Sequence, residues 1–104
     1  MSELNAKQNE LLWRIVTNYT YEQQRDIFVE ECAEGIKAVM KCKRANSSEE
    51  YGKATENLIE EVADVLIMAE QMRLYLGESA VDKVITAKLE RQIDRIKEDS
   101  ENGT

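Results

Sequence analysis

The stretch Glu60-Glu61-Val62-Ala63-Asp64-Val65-Leu66-Ile67-Met68-Ala69 decides how this chain is read. From Val62 to Ala69 every residue except Asp64 is apolar. An ionised carboxylate taken out of water costs several kcal/mol unless a cation or hydrogen-bond donors compensate it. Asp64 is therefore expected at the edge of a core or in a cleft. Glu61 stands three residues earlier, so on a helix the two acids share a face. A second cluster, Glu30-Glu31-Cys32-Ala33-Glu34, precedes it on another expected helix. Two acid pairs at helical spacing, meeting across a helix–helix contact, make a place for a divalent cation.

The rest of the composition fits a scaffold for that meeting. A chain of 104 residues makes one small domain, read here as residues 1–98 with a disordered polar tail over 99–104. Charged residues are 34% of the chain and Pro is absent, which favours long uninterrupted helices. A net charge of -7 argues against binding a nucleic-acid polymer, which needs Lys/Arg clusters. There is no His, so a ferritin-like di-iron site built on Glu-x-x-His is excluded. Cys32 and Cys42 lie about 15 Å apart along one helix, too far for a bridge, and form no Cys-x-x-Cys motif. Neither a signal peptide nor an apolar run of about 18 residues is found. A cytoplasmic protein without a membrane partner is the expectation.

Four helices are expected, giving an all-α bundle. The first runs from Asn5 to Asn18 with Leu11, Leu12, Ile15 and Val16 as its apolar stripe. Trp13 stands to one side, read as a packing residue or as one wall of a ligand pocket. Thr20 caps a second helix from Tyr21 to Arg44. There Phe28, Val29, Cys32, Ile36, Val39 and Met40 form an inward stripe. Glu30, Glu31 and Glu34 lie opposite, with Lys37 and Lys41 continuing their side. A solvated face stitched by pairs such as Glu34–Lys37 is the plain alternative. Against it, Ile27 and Ala38 flank Glu31 and Glu34, so that side is not uniformly polar.

Arg44 to Glu50 reads as a loop, and Ser47-x-x-Glu50 as a capping box opening a third helix. Gly52 weakens its first turns, so an irregular segment is expected up to Glu56. From Asn57 to Leu76 the helix is apolar almost all round and is expected to be buried on several sides. Gly77 stops it, and Ser79-x-x-Asp82 caps a fourth helix. Val81, Val84, Ile85, Leu89, Ile93 and Ile96 point inward there. Lys83, Lys88, Arg91 and Arg95 are read as a solvated face or as an electrostatic clamp on phosphates.

Antiparallel packing of the second and third helices brings Glu31 and Glu34 opposite Glu61 and Asp64. Converging carboxylates raise one another's pKa values. Mg²⁺ resolves the repulsion, because it takes carboxylate oxygens, keeps several waters and bridges to phosphates.

The order Glu-Glu-x-x-Glu at 30–34, then Glu-x-x-Asp at 61–64, resembles the signature of MazG-like nucleoside triphosphate pyrophosphohydrolases. These are the all-α phosphatases that include dimeric dUTPases and dCTP pyrophosphatases. The likeness takes in Gln24, Ala33-Glu34 leading into Ile36-Lys37-Ala38, and Asp64-Val65-Leu66-Ile67. With Lys88-Leu89-Glu90-Arg91 it covers about residues 19–96. The resemblance implies cleavage between the α- and β-phosphates of a nucleoside triphosphate, giving a monophosphate and pyrophosphate. By it, Glu31, Glu34, Glu61 and Asp64 are Mg²⁺ ligands, with Mn²⁺ as a substitute. Glu30 binds a further metal or orients water as the base. Lys88 and Arg91 contact phosphates, and Gln24 and Trp13 help hold the nucleotide base. Family members often carry Asn four residues after that Lys, where this chain has Gln92. A homodimer or homotetramer burying the third helix is also implied. The competing expectations are a non-catalytic helical oligomer acting as adaptor or regulator, and a family member that binds nucleotide but turns over poorly.

Overall fold

The structure, a computed structural model, describes residues 4–103. It contains four helices, α1 (Ala6–Asn18), α2 (Tyr21–Lys43), α3 (Ser48–Leu76) and α4 (Glu78–Glu101), and no strand among the described residues. None of them is long and apolar enough to cross a membrane.

The helix starts follow from local hydrogen bonding. Asn5 caps α1: its side chain accepts from the Gln8 N–H at 2.8 Å, while the Asn5 N–H donates back to Gln8 Oε1 at 2.9 Å. Thr20 and Gln23 repeat this box at α2. At α3 the Glu50 N–H donates to Ser47 Oγ at 3.1 Å, but the Glu50 carboxylate accepts from the Asn46 N–H instead of that of Ser47. Each box satisfies amide groups that the first turn leaves without partners.

Three local expectations are corrected. The segment around Gly52 is regular helix, held by the Ser47 cap, by the Thr55 hydroxyl donating to the Tyr51 carbonyl, and by a Lys53–Glu49 pair. Gly77, at φ +113°, does interrupt the chain after Leu76, but it is itself the N-cap of α4. Ser79 therefore lies inside the first turn and caps nothing. Asp99, Ser100 and Glu101, expected in a disordered tail, continue α4, since no Gly or Pro arrives before Gly103. Thr104 lies outside the described residues.

The chain divides into two compact units, one running through Tyr75 and one from Leu76 onward. In the second, α4 buries no residue. Val84, Ile85, Leu89, Ile93 and Ile96 are exposed, where the sequence pattern placed them inward.

Within the first unit α2 and α3 run antiparallel along a shared seam. On α2 the seam takes Gln24, Phe28, Glu31, Gly35, Ala38 and Cys42, all buried or half-buried and spaced alternately by four and three. This is the 3.5-residue repeat of helices packed nearly side by side. The facing α3 positions include Ala54, Glu61, Val65, Met68 and Met72. A Cβ added at Gly35 would stand 3.2 Å from a Val65 methyl, so glycine permits the close approach at mid-seam. At the open end, the Tyr75 hydroxyl donates to the Tyr19 carbonyl at 2.8 Å, tying α3 to the α1–α2 turn. Tyr75 also meets Tyr21 edge to face.

This seam is not the stripe read from the sequence. Val29 and Ile36 are 63% and 66% exposed, and Val39 and Met40 are exposed as well. Apart from Phe28, the helix contact selects small and polar residues that let backbones approach, and it turns Val29, Ile36, Val39 and Met40 outward. On α3, Ile59, Val62, Leu66 and Ile67 are likewise exposed, against the expectation of burial on several sides.

Candidate metal centre

The acids of α2 and α3 meet at mid-seam. One carboxylate oxygen from each of Glu31, Glu61 and Asp64 lies within 4.8 Å of the others. Their positions follow from the seam: Glu31 and Glu61 occupy contact positions, and Asp64 follows Glu61 by three residues on the same side of α3. The Gly35–Val65 contact holds the two backbones close beside them.

The burial differs from what the apolar run around Asp64 led one to expect. Asp64 is exposed, at the mouth of the cluster, while Glu31 and Glu61 are half-buried. Glu61 Oε2 is buried and has no hydrogen-bond partner among the described residues. A buried acceptor without a partner costs about 1–3 kcal/mol, more when charged. Burial raises the Glu31 carboxyl above its ordinary pKa, and the charges of Asp64, Glu61 and Glu34 raise it further. A protonated Glu31 hydrogen-bonds to Asp64 in the same direction. Glu31 therefore holds its proton to a higher pH than an isolated glutamate does.

The donor set is oxygen only, part-buried and anionic, with one oxygen lacking any donor. These features fit a hard divalent cation such as Mg²⁺ or Mn²⁺ and give no nitrogen or sulfur ligand for a softer metal.

The other expected site residues fall at different places. Glu34 is exposed, 3.5 Å from Lys37, and acts on the cluster through its charge. Glu30 is exposed on α2. Gln24 is buried and donates to Gln71 Oε1 at 2.8 Å, one heptad from Glu31. Gln71 in turn approaches the Met68 sulfur at 3.5 Å. The Gln24 side-chain amide is thus already engaged within the seam. Trp13 is 49% exposed, so within the single chain it is not the packing residue its stripe suggested. Lys88 and Arg91 are exposed on α4, in the other compact unit. Sequence reasoning passed over Gly35 and Gln71, although the 3.5-residue spacing through Gln24, Glu31 and Ala38 runs through Gly35.

Searches against family models, curated proteins and solved structures give no match for this chain.

Proposed function

We propose that this protein is a Mg²⁺-dependent nucleoside triphosphate pyrophosphohydrolase, cleaving between the α- and β-phosphates to release a monophosphate and pyrophosphate. The observation that carries the proposal is the buried Glu61 oxygen without a partner, inside a three-carboxylate cluster from two helices. The motif resemblance to MazG-like enzymes supports it and supplies the reaction.

In this proposal Glu31, Glu61 and Asp64 hold the cation, with Glu34 as a fourth ligand from the exposed side. When bound, Mg²⁺ neutralises phosphate charge and acidifies water, which suits attack on a polyphosphate. A bound cation would offset the mutual repulsion of Glu31, Glu61 and Asp64 and favour their ionised forms. Glu30, solvent-facing beside Glu31, orients the attacking water and accepts its proton. Lys88 and Arg91 are proposed phosphate contacts from α4. Trp13 supplies a stacking face for a nucleotide base.

The proposal includes self-association. Val29, Ile36 and Val39 on α2, with Ile59 and Leu66 on α3, are exposed apolar residues that a second copy would cover, giving a homodimer or homotetramer. The same surface favours one alternative, a non-catalytic helical oligomer serving as adaptor or regulator.

Pyrophosphate release from a panel of NTPs and dNTPs, with Mg²⁺ and with EDTA, separates the two. Metal-dependent release from at least one nucleotide, lost in Asp64→Asn, is the expected result. A folded, oligomeric protein that releases none from any nucleotide would leave the adaptor reading standing.

A further inference from the structure

The seam that carries the acids ends, at the α2–α3 turn, in a hollow of opposite character. Lys41, Arg44, Ala45, Glu50, Lys53 and Ala54 line it. Ala54 is buried and Ala45 half-buried, so two small side chains form a floor beneath the cations. Such a gathering stands out in a chain with 21 acids and 14 bases.

Electrostatic demand within the fold accounts for only part of it. Lys41 and Arg44 complement the negative C-terminal end of α2. Lys53, near the start of α3, has no such role, and its pair with Glu49 at 3.6 Å is exposed and weak. Lys41 and Arg44 have no side-chain ion pair among the described residues. Glu50, the one acid in the lining, is already accepting from the Asn46 N–H at 2.9 Å. The lining therefore carries three cations against one carboxylate, an excess of positive charge over a small-residue floor that an anion from outside can meet.

Helical spacing connects this hollow with the acids. On α2, Glu34, Lys37 and Lys41 succeed one another at three and four residues, about 10 Å along the axis from first to last. On α3, Lys53, Asn57, Glu61 and Asp64 succeed one another at four, four and three. The acid cluster and the hollow thus lie along the same pair of helices, about 10 Å apart along the axis, and long Lys and Arg side chains can span part of that distance.

We propose that the Lys41–Arg44–Lys53 hollow binds a polyphosphate, and receives the β- and γ-phosphates of the triphosphate held at the acid cluster. The assignment to substrate rests on the hydrolase reading above, whereas the anion site itself does not. It sets the polarity of the ligand, with pyrophosphate leaving toward the α2–α3 turn and the nucleoside lying toward the Gln24 end of the seam.

The test uses inorganic tripolyphosphate titrated calorimetrically into the full chain in EDTA, where the acid cluster holds no cation. A protein of net charge -7 repels polyanions in general, so binding reports a local site. Wild type and Asp64→Asn are expected to bind alike, with affinity falling as salt rises. A triple variant, Lys41→Gln/Arg44→Gln/Lys53→Gln, is expected to bind at least tenfold more weakly, with an unchanged circular dichroism spectrum and only a small drop in unfolding midpoint from the lost helix-end charges. Lys7→Gln/Lys83→Gln/Lys97→Gln, on α1 and α4, serves as the charge-matched control and is expected to bind as wild type does. No binding to wild type, or equal binding by the triple variant, overturns the proposal. If tripolyphosphate binds at the hollow but no nucleotide is hydrolysed, the hydrolase reading fails and the anion site stands. If nucleotides are hydrolysed with the same KM in wild type and the triple variant, the hollow has no part in substrate binding.

Discussion

Two polar insertions interrupt the same α2–α3 seam, seven residues apart on α2 and seven to ten apart on α3. Gln24 meets Gln71 at 2.8 Å, and both side chains are buried. Glu31 meets Glu61 and Asp64, with oxygens within 4.8 Å, a raised pKa on Glu31 and a buried Glu61 oxygen without a partner among the described residues. The neutral pair is complete in itself, donor to acceptor, and pins the register of the helices. The acidic group is complete only when something positive joins it. Similar placement with opposite satisfaction separates a structural polar contact from a candidate binding centre.

Breaking the acidic side of this contrast has the largest expected effect. Asp64→Asn or Glu61→Gln is expected to lower nucleotide turnover by at least about 10²-fold, since loss of a residue that merely supports a metal ligand costs 10–100-fold. In EDTA the same variants are expected to unfold at a higher temperature than wild type, because a repelling charge is gone. Lower stability of both variants in EDTA would show that these carboxylates serve the fold.

On the neutral side the expected signs reverse. Gln24→Leu leaves the Gln71 amide buried without its partner and is expected to cost about 1–3 kcal/mol in urea unfolding. Gln24→Leu/Gln71→Leu should recover most of that loss. An equal loss in the double variant would mean that the pair matters for more than mutual satisfaction.

Gly35 sharpens the comparison because it sets the helix spacing for both insertions. Gly35→Val drives extra methyls toward Val65, already 3.2 Å from an added Cβ, and is expected to cost about 1–3 kcal/mol by overpacking. Mg²⁺ affinity should fall with it as the acids separate. Unchanged metal affinity in a destabilised variant would uncouple the spacing from the centre.

The smallest effect is a pH dependence. Glu31 has a folded-state pKa above its ordinary 4.5, so the folded chain holds a proton that the unfolded chain releases. Its contribution to stability is fully present below 4.5 and is lost as pH rises through the raised value. In EDTA the difference in unfolding midpoint between Glu31→Gln and wild type should therefore widen from acid to neutral pH, the variant being the more stable at neutral pH. Saturating Mg²⁺ should reverse the order, because binding stabilises only the protein that keeps its ligands.

Much of the fold is legible in the residues themselves. Asn5, Thr20 and Ser47 announce three helix starts through side chains that bond their own backbone, a strictly local matter. Ala38, noticed as an apolar interruption beside Glu34, proves to be 1% exposed and marks the true contact face of α2. The apolar stripe from Val29 to Met40 misled because hydrophobic periodicity does not tell which of two surfaces packs within the chain. Close approach at Gly35 and Ala38 decided it for small residues, leaving the bulky face outward. The acids at 31, 61 and 64 were visible as a pattern. That Glu61, and not Asp64, would hold the buried oxygen was not visible, since it depends on the rotation of α3 against α2. The Gln24–Gln71 bond spans 47 residues of sequence and has no local signature.

The most direct test of the contrast is calorimetric titration of Mg²⁺, repeated with Mn²⁺, into wild type, Asp64→Asn and Gln24→Leu/Gln71→Leu. Wild type and the double glutamine variant are expected to bind the cation with similar affinity, and Asp64→Asn to lose at least tenfold. Absence of binding to wild type, or binding that Asp64→Asn leaves unchanged, would contradict the assignment of the acidic cluster as a metal centre.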